Sequence, residues 1–262
     1  MAAAARFGDD RLAMIVADET SDFLVITQTD HARFAGELLS LWRSDGLPDH
    51  PRRTDLLFAA REHDNGWREA DAAPTLDPER GRPYDFLTLP DAERAEIWER
   101  GTARFAERRP YAALLITLHA LNLLGGSAGR RWRGLLARLA ERRDELQEAT
   151  GAGADEAAAD YRFIDLTDAM SLASCNGWRD PFERGGMRGR FDREIHTLYL
   201  EPFPFAGATT FQVPARRIPR RRYGGDADLG AALAAATWQD VAVRVAPLAE
   251  PEHLAGAATE PP

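Results

Sequence analysis

Lysine is absent from this chain: all 33 basic residues are arginine. That excludes a Schiff-base lysine and the phosphate-gripping lysine of a P-loop. Cysteine is nearly absent too. A lone Cys175 forms no intramolecular disulfide, cysteine-ligated zinc site or iron–sulfur cluster, and its scarcity fits a reducing compartment. Positive charge is outweighed, with 42 acidic residues and a net charge of −9, which argues against broad binding to nucleic acid or anionic membranes. Long hydrophobic runs are missing. The longest, Ala112–Leu118, ends at His119 and falls far short of the roughly 20 apolar residues of a transmembrane helix. The N-terminus turns acidic at Asp9-Asp10 before any signal-peptide core develops, so a soluble, cytoplasmic protein is expected. No internal repeat is present.

With 262 residues, 44% of them hydrophobic and 29% charged, the composition is that of a folded globular protein. Two β-like runs, Leu12–Val16 and Phe23–Thr27, flank the polar Asp18–Asp22 and read as a hairpin. A helix opened by Thr29 or Asp30 follows, and Thr54 opens a second, on which Leu56, Ala60, His63 and Trp67 share a face. The proline-punctuated stretch Trp67–Pro90 reads as a long ordered loop. Helical patterns resume at Asp91–Arg109, Pro110–Leu124, Arg131–Thr150 and Ala154–Cys175. Beyond 176, strands are expected at Ile195–Leu200, Thr209–Val213 and Val241–Val245, with a short helix at Asp228–Thr237. The expectation is a mainly α fold: one domain over 12–247, with a helical body at about 29–176, a β-rich part at about 190–247, a small sheet joining the N-terminal hairpin to the C-terminal strands, and a flexible tail at 248–262.

Chemistry-bearing residues sit where a core should be apolar. His31 lies in a first helical turn, where the helix dipole favours a neutral, ligand-competent ring. His63-Asp64 continues an apolar stripe, and His119 interrupts an apolar helix. Tyr161, Ile164, Asp165, Asp168, Leu172 and Cys175 form another stripe, with two carboxylates inside it. Buried imidazoles and carboxylates must satisfy one another or a cation. Nitrogen and oxygen donors without thiolate suit Mn, Fe, Ni, Co or Zn. The bland readings place Asp165 as a hydrogen-bond partner of a neighbouring helix, Cys175 as a small core residue, and His50, His196 and His253 at the surface. The arginine run Arg216–Arg222 reads as a solvated loop.

The order His31 … His63-Asp64 … Asp168 resembles the H…HD…D signature of the HD (His-Asp) superfamily of metal-dependent phosphohydrolases. Leu56–Gly66 resembles its HD helix, and Asp168-Ala169-Met170-Ser171-Leu172 its last metal aspartate. Four further segments are similar to an uncharacterised bacterial family, domain of unknown function 3891: Leu24–His31, Glu62–Trp67, Leu76–Phe86 and Pro110–Leu115. That similarity runs from about Met14 to Pro247.

The HD resemblance implies an HD-like helical bundle in which His31, His63, Asp64 and Asp168 ligate one divalent transition metal. It implies a hydrolase of a small, anionic, phosphorylated or nucleotide-like substrate, with activated water as nucleophile. Asp64, His119, Arg61 and Arg68 would serve catalysis: His119 as general acid, phosphate donor or ligand of a second ion, the arginines as phosphoryl partners. The Trp67–Phe86 loop, with Asp71, Asp77 and Asp85, would cover the metal. The lysine that many HD enzymes carry after the motif is replaced by Asn65-Gly66-Trp67. A non-catalytic metal-binding sensor and an HD-type iron oxygenase are the alternative readings; nucleic-acid and membrane partners are not expected.

Overall fold

The computed structural model describes residues 14–86, 88–126 and 130–248. His253, the tail beyond 248, and Leu12 of the expected hairpin lie outside the described residues. The hairpin forms as β1 (Ile15–Asp18) and β2 (Asp22–Ile26), antiparallel with Ile15 opposite Ile26. Helix α1 (Gln28–Ser40) is capped two or three residues before the expected Thr29 or Asp30. Thr27 is the N-cap, its hydroxyl accepting from the Asp30 amide at 2.9 Å, so His31 remains in the first turn.

Helix α2 (Arg53–Glu62) ends at His63, and a 3₁₀ turn, Asn65–Trp67, leads into α3 (Arg68–Ala72). The expected long loop contains this helix and a two-stranded ribbon, β3 (Leu76–Asp77) with β4 (Arg82–Pro83). Then come α4 (Asp91–Ala103), α5 (Pro110–Leu124), α6 (Arg133–Thr150) and α7 (Ala154–Cys175). The last part comprises β5 (Phe182–Arg184), β6 (Met187–Asp192), β7 (Thr197–Glu201), β8 (Thr209–Pro219), α8 (Asp226–Ala235) and β9 (Trp238–Pro247).

The expectation of a mainly α bundle with a small sheet is overturned. Helix accounts for 48% and strand for 21%, and seven strands form one large curled mixed sheet in the order β1-β2-β8-β9-β7-β6-β5. Among the described residues only β7 and β9 pair in parallel, Thr197 opposite Arg244. The physical reason lies in β8 and β9. Each has apolar residues alternating with exposed polar or arginine side chains, as in Phe211, Val213, Ala215 and then Ile218. Such strands look like loop when judged by polarity alone. β5 and β6, with three arginines among nine residues, lie outside the strands expected from sequence.

Strands β1 and β2 are covered on both faces. Ile15, Leu24 and Ile26 join the main core with α1, α2, α5 and α7. Val16, Phe23 and Val25 point the other way, to Ile218, Tyr223, Leu229 and Leu233 beneath α8. That explains their uninterrupted apolar sequence. The arginine run is likewise structural: Arg217 pairs with Glu19 at 2.6 Å and Arg221 with Asp228 at 2.6 Å, while Arg220 lies 3.5 Å from Asp18. Among the described residues no helix is long and apolar enough to cross a membrane.

Candidate metal centre

Two helices and the turn that ends a third bring the anticipated residues to one point. His31 comes from the first turn of α1, His63 from the cap of α2, Asp64 from the bend before the 3₁₀ turn, and Asp168 from the middle of α7. All four are buried, with no more than 7% of any residue exposed. The Nε2 atoms of His31 and His63 stand 3.1 Å apart. Asp168 Oδ1 lies 3.2 Å from the first and 3.3 Å from the second, and Asp64 Oδ2 at 3.4 and 3.6 Å. Donors about 2.1 Å from an ion are separated by about 3.0 Å at right angles and about 3.4 Å at a tetrahedral angle. Four of the five observed spacings fall in that range, and the fifth, His63 to Asp64 at 3.6 Å, lies just above it.

The other ring nitrogens fix what the site sees. His63 Nδ1 is 2.8 Å from the Ala60 carbonyl. A carbonyl only accepts, so Nδ1 carries the hydrogen and Nε2 of the neutral ring is bare. His31 Nδ1 is 2.7 Å from Ser171 Oγ, whose own hydrogen goes to the Asp168 carbonyl at 3.0 Å. Ser171 therefore accepts from Nδ1, and the His31 Nε2 lone pair also faces inward. Outer partners of this kind are what orient metal-binding imidazoles.

Two bare nitrogens and two carboxylates this close demand positive charge between them. With protein groups alone, a proton supplies it. Burial disfavours a charged His31, yet hydrogen bonding and charge attraction from Asp168 and Asp64 raise it to about 9. The expectation of a neutral His31 on helix-dipole grounds is thus reversed, because two carboxylates outweigh one helix terminus. His63 is raised as well, against burial, by Asp64 and Asp168; Asp168, despite burial, is held well below the usual carboxylate range by His31 and His63. One proton between the two rings satisfies both. A divalent cation would displace it.

His119 on α5 adjoins this cluster. Its ring centroid lies 4.8 Å from that of His63, and His63, Asp64 and His119 form a second group whose ligand atoms lie within 4.8 Å of one another. Burial, then the charge of His63, pushes His119 down to about 4, so it is neutral at physiological pH. Trp98 and Tyr161 pack on the same ring, at 6.0 and 6.1 Å.

Not every anticipated residue converges. Arg68 pairs with Glu62 and lies over the Phe105 ring, while Arg61 is exposed, its stem set against α1 at Gly36. Asp77 and Asp85 serve their own turns, accepting from Glu79 N at 2.9 Å and Thr88 N at 2.6 Å. Asp71 instead caps α1, accepting from Thr29 N at 3.0 Å, Thr29 Oγ1 at 2.8 Å and Gln28 N at 3.3 Å. Asp165 pairs with Arg184 at 2.6 Å. His50, read as a surface residue, is part-buried and lies 3.0 Å from Asp160. Ser171 was missed as a functional residue, although its position three after Asp168 puts it on the same side of the helix.

Asp71 provides a pH test. Burial raises its carboxyl to about 6 in spite of the α1 donors. A folded-state value above the unfolded one favours folding fully below about pH 4, and that contribution is lost as pH rises through 6. In chelator-treated protein, the stability of wild type relative to Asp71→Asn is therefore expected to decline from pH 4 to 6.5 in urea titrations. A flat difference would mean that the donors at α1, not burial, control this carboxyl.

Fold and cluster together define an α+β protein with a buried two-histidine, two-aspartate centre of metal-ligand geometry, set on helices against a curled sheet. The chain belongs to the family described as Protein of unknown function (DUF3891), whose profile matches residues 14–220. The match begins at β1 and ends just past β8. It therefore includes every residue of the cluster and stops short of the Pro247 limit expected from sequence. Comparison with curated proteins and with solved structures returns no match.

Proposed function

We propose that this protein is a metal-dependent hydrolase of a small phosphorylated or nucleotide-like substrate, using a divalent transition metal held by His31, His63, Asp64 and Asp168. The observation that carries the metal is the convergence of the inward-facing Nε2 atoms of His31 and His63 with two carboxylates at 3.1–3.6 Å. Support for the reaction class comes from the H…HD…D order shared with HD phosphohydrolases. Nitrogen and oxygen donors without sulfur fit Mn, Fe, Ni, Co or Zn.

A bound divalent ion supplies Lewis acidity, acidifying water and polarising a phosphoryl oxygen. The protein's part is to hold the donors in place through Ser171 and the Ala60 carbonyl. Asp64 and Asp168 balance the ion's charge.

A second reading, a metal-binding module without turnover, is favoured by one observation. Arg61 points to solvent and Arg68 is engaged by Glu62, so neither is set to grip a phosphoryl group. Assays of phosphate release from phosphomonoesters and nucleotides with Mn²⁺, comparing wild type with Asp64→Ala, separate the two. Hydrolysis is expected in wild type and should fall to background in the variant. Equal activity in both contradicts the mechanism, and Mn²⁺ binding without turnover on any substrate supports the module.

A further inference from the structure

Beyond the cluster, a chain of polar side chains runs from His119 toward the surface. His119 Nδ1 lies 3.4 Å from Tyr161 Oη, which lies 3.4 Å from Asp165 Oδ1; Arg184 Nη1 reaches the same carboxylate oxygen at 2.6 Å. Asn122 donates to the Tyr161 oxygen at 3.1 Å. The hydrogens can be assigned by counting. Asp165, paired with a guanidinium, is a carboxylate and only accepts. The single Tyr161 hydrogen therefore goes to Asp165. The Tyr161 oxygen then accepts from Asn122 and from His119, so His119 carries its hydrogen on Nδ1 and leaves Nε2 bare.

We infer that Tyr161 and Asp165 are positioning residues that fix His119 as a third imidazole with a bare Nε2, fit to bind a cation beside His63 and Asp64. This rests on the metal-centre reading above, and it selects among the roles considered for His119. A bare nitrogen is a ligand or acceptor; it is neither a general acid nor a phosphate donor. The three histidines are then wired alike, each with Nδ1 tied to an oxygen: Ser171 for His31, the Ala60 carbonyl for His63, Tyr161 for His119.

The test is imidazole ¹⁵N NMR on metal-free protein, followed by Mn²⁺ titration calorimetry. In wild type, His119 is expected to show a protonated Nδ1 and a bare Nε2. In Tyr161→Phe its signals should shift toward the opposite or a mixed tautomer while the His63 signals stay fixed, which also reports that the variant is folded. Mn²⁺ affinity should weaken about tenfold, the lower end for loss of an outer-shell partner. A His119 with its hydrogen on Nε2 in wild type, or one unchanged by Tyr161→Phe, overturns the inference. So does unchanged affinity in the variant. Failure of wild type to bind Mn²⁺ while the tautomer stands as assigned overturns the ligand role and the proposed function, but leaves the Tyr161 wiring intact.

Discussion

Divalent cations should stabilise this protein, and Asp168→Asn should abolish that stabilisation. Asp168 Oδ1 lies within 3.3 Å of both facing Nε2 atoms, and the amide keeps its volume but not its charge. In wild type, a cation at a hundredfold its dissociation constant is worth about 2.7 kcal/mol, which is about 5–10 °C in Tm for a chain of this size. The variant should show no shift with Mn²⁺ or Zn²⁺. A second consequence follows from the same geometry. Without cation, Asp168 is a main reason that His31 stays protonated, so the variant's His31 should titrate lower, a change visible by NMR. A full Tm shift in Asp168→Asn would place cation binding elsewhere on the chain.

Gly66→Ala is expected to destabilise the fold by about 3 kcal/mol or more, as backbone overlap in a packed site does. A Cβ at Gly66 would stand 2.2 Å from the Ile97 carbonyl oxygen and 3.1 Å from Gly101 Cα. Both obstacles are backbone of α4, so no side chain can swing aside. The contact is reinforced on either side: Arg100 donates to the Gly66 carbonyl at 2.8 Å and Asn65 Nδ2 to the Gly101 carbonyl at 3.0 Å. Because Gly66 follows Asp64 by two residues, forcing the turn away from α4 should also weaken cation binding. Gly230→Ala is the control. A Cβ there meets nothing within 4 Å, and removing a helical glycine should stabilise by about 0.5–1 kcal/mol. Urea unfolding of the three proteins measures both effects; a Gly66→Ala protein as stable as wild type would mean the α4 contact gives way easily.

The cluster was legible in the sequence because its members break strong local patterns. A histidine in an apolar helix and aspartates on a core stripe are costly unless they meet partners, and their order supplied the grouping. The wiring was only half legible. Ser171 and Tyr161 sit on the same helix as Asp168 and follow from helical spacing. Arg184 reaches Asp165 only because β5 turns back across α7, and no local pattern announces that. The sheet was the least legible part of the fold. β8 and β9 are long strands whose outward positions hold Gln212, Arg216 and Arg244, and polarity hid half of each pattern. The HD likeness also favours helices, although what brings the four side chains together is the placement of α1, α2 and α7, which a large sheet supports as readily as a bundle.

The central claim is most directly tested by anomalous diffraction from crystals soaked in Mn²⁺. One peak is expected about 2.0–2.3 Å from Nε2 of His31 and of His63, with oxygens of Asp64 and Asp168 completing the contact. A peak elsewhere, or none, with His31 and His63 still 3.1 Å apart around a shared proton, would contradict it.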